Sequence, residues 1–93
     1  MLMEVNVLGL KIDGEHVADA LQTVREKLDS ANGELDLDFS SVHRLDPAAL
    51  KELEELAGIA DGKSVKIILR GVDVGVYKVL KLVKLTPRFS FLN

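Results

Sequence analysis

Apolar and polar positions along the chain switch between two periods. A period of two marks strands and a period near 3.6 marks amphipathic helices. In "ELDLDF" the residues Leu35, Leu37 and Phe39 alternate with Glu34, Asp36 and Asp38, which predicts a strand with one apolar and one polar face. A first strand is predicted at about Met3 to Leu10, with Val5 and Val7 on one side. "SVKIILR" predicts a third strand with Val65, Ile67 and Leu69 inward. Phe89 and Phe91, alternating with Arg88 and Ser90, predict a short last strand.

Helical spacing lies between these runs. Val17, Leu21, Val24 and Leu28 step by four, three and four and predict a helix from about Glu15 to Ser30. The Asp13-Gly14 turn precedes it and Asn32-Gly33 follows it. A second helix is predicted from about Pro47 to Ala60, burying Leu50, Leu53, Leu56 and Ala57, with Asp61-Gly62 as its stop. Asp46 suits its N-cap and Pro47 its first helical position. A third helix is predicted from near Asp73 to near Leu85, with Val76, Val79, Leu80 and Val83 inward and Lys78, Lys81 and Lys84 outward. Thr86-Pro87 breaks it.

The order is βαβαβαβ, an α/β domain with a single open, mostly parallel four-stranded sheet. A sheet covered on both faces has nearly continuous apolar strands. Here three strands keep polar positions: Glu34, Asp36 and Asp38, then Ser64 and Lys66, then Arg88 and Ser90. The helices are therefore expected on one face, with the other largely wet. Right-handed crossovers that always advance in the same direction give that layout, whereas doubly wound sheets reverse direction and cover both faces.

Length and composition narrow the classes. Residues 1–93 make one domain, and folding at this size buries about 60–65% of the unfolded surface. Apolar residues at 47% and charged residues at 29% suit a globular chain and argue against disorder. A net charge of −3, with three Phe and one Tyr, argues against a nucleic-acid surface. With no cysteine there is no disulfide, zinc-thiolate or thiol chemistry. The start "MLMEVNVLGLKI" lacks signal-peptide features and no apolar run spans a bilayer. A cytoplasmic location, without direct membrane insertion, is the expectation.

The segment "LDLDFSSVHRLDPAALKEL" resembles the central motif of STAS domains, found in bacterial anti-sigma-factor antagonists and in the tails of sulphate transporters. That motif is an apolar strand ending in Asp-hydrophobic-Ser, a short loop, then Asp-Ser-Ser-Gly opening a helix. Asp38-Phe39-Ser40 matches the strand end, Val42 and Leu45 the apolar loop positions, and Asp46 the Asp. "VYKVLKLVKLTPRFSFLN" resembles the last helix and strand, and "LGLKIDGEHVADALQTVREKL" the first strand and helix, so the resemblance runs from about Val7 to the end. It implies the one-faced layout and a cytoplasmic signalling module for transcription regulation. The departure is at Pro47, followed by Ala48 and Ala49, where regulatory members carry a serine that a partner kinase phosphorylates. The family's phospho-switch cannot operate there.

No cofactor and no catalytic residue is expected, since no phosphate-binding glycine loop, GxSxG or spaced Ser/His/Asp set is present. His16 and His43 have no companion ligands, so no metal site is expected. Asp36 and Asp38 share a strand face, where Lys66 is expected to pair with one of them. The expected partner-binding surface is Val42, His43, Arg44, Leu45, Asp46, Pro47 and Ala48 with the loop from Arg70 to Asp73. Arg44 and Arg70 form a candidate anion-binding pair at the carboxyl edge of the sheet. The partner expected is a protein, an anti-sigma factor or other kinase-fold protein. A transporter ATPase is the alternative, with the chain as an accessory subunit of a lipid-transport complex, and a small-ligand sensor is the third reading. The lysine row reads as a solvated helix face or as a docking surface for an acidic partner. Strand edges could support a homodimer.

Overall fold

The computed structural model describes residues 6–28 and 33–92. The elements in chain order are β1 (Asn6–Lys11), α1 (Val17–Lys27), β2 (Gly33–Asp38), α2 (Pro47–Lys63), β3 (Lys66–Arg70), α3 (Val74–Leu82), a 3-10 turn (Thr86–Arg88) and β4 (Ser90–Leu92). The strands lie in the order β1-β2-β3-β4 and every neighbouring pair is parallel. Each crossover thus advances the sheet by one strand in one direction, and right-handed connections of that kind stack their helices on a single face.

Burial follows that geometry. Leu10 pairs with Leu37, Leu35 with Ile67, and Leu37 with Leu69, so one row of alternate positions faces the helices. Leu35, Leu37, Ile67 and Leu69 join Leu21, Val24 and Leu28 of the first helical segment in one core cluster. Leu53, Leu56 and Ala57 of α2, and Val76 and Leu80 of α3, complete it. The α/β class and the one-faced layout are as expected. The opposite face holds Glu34, Asp36 and Asp38, all half-buried, and exposed Lys66 and Arg70. Ile68 is the exception there: it is buried, only 7% exposed, yet lies outside the core cluster. Its register partners are Asp36 and Ser90.

Several boundaries and contacts differ from expectation. Val5 and Ser30 lie outside the described residues. Helix α2 passes through Asp61-Gly62 and ends at Lys63, because Ser64 takes the left-handed capping conformation (φ 57°) and Val65 donates to the Ala60 carbonyl at 2.9 Å. Val83 is exposed, since α3 stops at Leu82 and Lys84 turns the chain left-handed at φ 62°. Leu85 then donates back to the Leu80 carbonyl, closing the end. Arg88 belongs to the 3-10 turn and pairs with Asp61 at 2.6 Å, so it does not lie on the polar face of the sheet. The expected partner of the β2 carboxylates, Lys66, sits opposite Glu34. Arg70 takes that role, reaching diagonally to both oxygens of Asp36 at 2.7 and 3.3 Å.

Two glycines seat the loop between β2 and α2. A Cβ on Gly14 would stand 1.8 Å from the Ser41 carbonyl oxygen. Gly71 has φ +70°, and a Cβ there would stand 3.2 Å from that of Ser40. The loops after β1 and β3 thus close on the β2–α2 loop from two sides. Gly14→Ala is expected to lower stability by roughly 2–4 kcal/mol, since the obstacle is backbone. Gly58→Ala, in α2 with nothing near its Cβ position, is expected to raise it by about 0.5–1 kcal/mol. Urea unfolding of both variants checks the pair.

Candidate functional site

The start of α2 is built by a change of direction at the end of β2. The Phe39 amide donates to the Arg70 carbonyl at 2.8 Å, which prolongs the sheet by one bond. The Ser40 amide then turns onto the Asp38 carboxylate at 2.9 Å, and the Val42 amide donates to the Phe39 carbonyl. Phe39 and Val42 are wholly buried and anchor the loop from below. Asp46 caps α2 by accepting from the Ala49 amide at 2.8 Å, and Pro47 occupies the first turn, where a missing N–H costs nothing. Ala49 is buried against the core.

This construction sorts the expected surface residues. His43, Arg44, Asp46, Pro47 and Ala48 are exposed at the helix start. Leu45 is half-buried and packs against the core. Val42 is fully buried and cannot touch a partner, which corrects its place among the surface residues: the turn closed by its amide on the Phe39 carbonyl folds it back onto the core. Arg44, Leu45 and Asp46 line a shallow depression of about 200 Å³ with Gly14, Glu15 and Val17 of the first loop and helix.

The loop after β3 meets the same edge. Asp73 caps α3 through the Val76 amide at 2.9 Å, and its other oxygen lies 3.1 Å from Nδ1 of His43. That contact joins the start of α2 to the start of α3, two regions that the sequence reading placed together without pairing these side chains. The expected pairing of Arg44 with Arg70 is not formed. Arg70 leaves β3 on the polar face of the sheet and is held by Asp36, whereas Arg44 lines the depression beside α1. The alternation of β3 forces this, because Leu69 takes the core-facing position and Arg70 the opposite one. Among the described residues no group of three or more metal-ligating side chains comes together.

Hydrogen bonding tunes the carboxylates of this edge. Asp73 is held below its ordinary value of 3.8, first by the Val76 amide and then by His43. Asp38 is lowered by the hydroxyl and amide of Ser40, and Asp13 by the Glu15 amide and His16. His16 is in turn raised above 6.5 by Asp13. These signs have opposite consequences. The contributions of Asp13, Asp38 and Asp73 to stability are present above about pH 3.8 and are lost as pH falls through their lowered folded values. That of His16 is full below pH 6.5 and is lost as pH rises through its raised value. Carbon-detected NMR titration is expected to place Asp73 below 3.8 in the wild type. In His43→Ala it should move part of the way back, because the Val76 amide remains.

Comparison with known proteins bears on the fold. No family sequence model and no curated protein matches the chain. Among solved structures, it is similar to the crystal structure of a sulfate transporter family protein from Wolinella succinogenes. The TM-score is 0.82 at 18% identity, over 99% of this chain and 80% of that one. The likeness is one of architecture, and it covers the sheet, the three helices and the loops between them. The chain has the STAS-like fold that its central motif implies.

Proposed function

We propose that the chain is a non-catalytic protein-interaction module whose partner seats on the start of α2. The observation that carries this reading is an exposed helix start, closely packed from beneath, with no nucleophile at its first three helical positions. Arg44, Asp46, Pro47 and Ala48 face solvent, while Val42 and Ala49 beneath them are buried and the close approaches at Gly14 and Gly71 hold the loop from the sides. Such a surface is preorganised, so little ordering entropy is lost when it binds. Phosphorylation at the first helical position, the means of control in the regulatory relatives that the motif resembles, is replaced here by a fixed Pro47.

The partner in this reading is an anti-sigma factor or another kinase-fold protein, with the module acting in the cytoplasm. A second reading draws on the fold neighbour, which is a sulfate transporter family protein. In it the chain is an accessory subunit that rests on the ATPase of a transport complex. No described helix is long and apolar enough to cross a membrane; the partner in that reading is the ATPase.

The test is an affinity capture from native extract with the wild type beside an Arg44→Glu, Ala48→Arg variant. Both positions are exposed, and neither caps a helix nor fills the core. The captured protein is expected to bind the variant about 30-fold more weakly, the loss of roughly 2 kcal/mol that marks a central contact. A partner held equally by both proteins would remove the helix start from the function. A Pro47→Ser variant separates the two readings. A kinase-fold partner with ATP would phosphorylate Ser at that position and release the module, whereas a transport ATPase would leave it unmodified and bound.

A further inference from the structure

Helix α3 differs from its neighbours in what it leaves outside. The exposed large hydrophobic side chains of the described residues are Val74, Tyr77, Leu82, Val83 and Leu92. The first four lie on α3 or its cap, and the last lies on the adjoining strand β4. Val74 and Leu82 are 70% and 81% exposed, far from the buried stripe of Val76 and Leu80. The outward face of a helix this short, with its inward face already filled, is normally polar.

The exposed side is also concave. Val72, Val74, Tyr77, Phe91 and Leu92 line a groove of about 230 Å³ between α3 and β4. Its wall is fixed by the edge-to-face contact of Tyr77 with Phe91, whose ring centres are 5.1 Å apart. The positions 74, 77 and 81 follow an i, i+3, i+7 row, which sets Lys81 at the end of the groove wall formed by Val74 and Tyr77. Lys78 lies one row over, and Lys84 follows past the helix end. All three lysines are exposed, and none has an ion-pair partner among the described residues. From Val74 to Leu85 the chain carries no acidic residue.

We propose that this groove is a second docking site, distinct from the start of α2, and that it takes an acidic, extended segment of a partner protein. The segment would set one large apolar side chain between Tyr77 and Leu92 and carboxylates against Lys78 and Lys81. Charge complementarity selects this occupant. A second copy placed face to face would oppose lysine to lysine. An anionic bilayer is flat and cannot fill the groove. It would also meet the lysines in the middle of the contact, between Tyr77 and Leu82, instead of at the flanks, from which such side chains snorkel to the headgroups.

The experiment pans a random dodecapeptide display library on the full chain and measures the enriched peptides by fluorescence anisotropy. Vesicles of phosphatidylcholine and phosphatidylglycerol in equal parts serve as the lipid probe. Enrichment of sequences with Asp or Glu flanking a large apolar residue is expected. Binding should weaken about tenfold in Lys78→Glu, Lys81→Glu, weaken likewise in Tyr77→Ala and at higher salt, and persist in Ala48→Arg. Circular dichroism confirms that each variant keeps its fold, and a Lys78→Arg, Lys81→Arg variant should retain binding. Enrichment without acidic residues, or binding indifferent to the lysine reversals, would overturn the proposal. So would binders lost in Ala48→Arg, or lysine-dependent capture by the vesicles with no peptide selected. The outcome is independent of whether a partner seats on α2.

Discussion

The close approach of three loops at the carboxyl edge of the sheet governs the rest of the structure. The loop between β2 and α2 is hemmed by the backbone at Gly14 and by Gly71, at separations that leave no room for a side chain at the first and little at the second. Any other residue at 14 would have to push the Ser41 carbonyl aside. Because that loop is fixed, the direction in which α2 sets out is fixed as well, and with it the burial of Leu53, Leu56 and Ala60 in the core. The exposed helix start is therefore a product of backbone packing. The Asp46 cap and the buried Phe39 and Val42 then hold it in that direction.

The one-faced sheet has its own cost, a second face that must remain soluble without helices. Ionic and hydroxyl groups meet that need. Arg70 folds over the sheet onto Asp36, the register partner of Ile68, which is only 7% exposed yet outside the core cluster. A long side chain with an apolar stem and a charged head suits this role. The same ion pair removes Arg70 from the carboxyl edge, so the architecture that keeps the polar face soluble also decides which cations remain at the helix starts. On the core side, Arg25 of α1 bridges to Glu52 and Glu55 of α2, tying the two helices above their apolar contact.

Much of this was legible from periodicity. The alternation of Leu35, Leu37 and Phe39 with acids, and the four-three-four spacing of Val17 to Leu28, gave the elements, and the polar positions of β2, with Lys66 and Ser90, gave the single helical layer, although Ser64 and Arg88, counted with them, lie off the strands. What was not legible has physical causes. Asp61-Gly62 looks like a stop, but glycine in a final turn is tolerated when the next position can cap in left-handed form, as Ser64 does. Val83 matches the helical period, but the period says nothing about where the helix ends. Pairing across elements was hardest. That His43 meets Asp73 depends on how two loops pack, and that Arg70 turns from Arg44 to Asp36 depends on which side of β3 it leaves. A one-residue shift of register reverses that side. Gly14 read as an ordinary turn glycine, because the neighbour that makes it indispensable lies 27 positions away in the chain.

Pro47 shows how a structural reading bears on function. Its ring is exposed and nothing in the core leans on it. The cap is made by the Asp46 side chain and the Ala49 amide, neither of which involves residue 47. A serine at that position would leave the cap, the buried Ala49 and the loop contacts at Gly14 and Gly71 in place. Stability gains from proline at a first helical position through the narrower unfolded ensemble, by roughly 0.4–1 kcal/mol, which is small against the packing of the loop beneath it. The fold therefore does not require proline there. A hydroxyl that can be modified is incompatible with proline, and the fixed backbone that proline supplies suits the binding surface proposed at the helix start. The needs of the fold account only weakly for proline at 47.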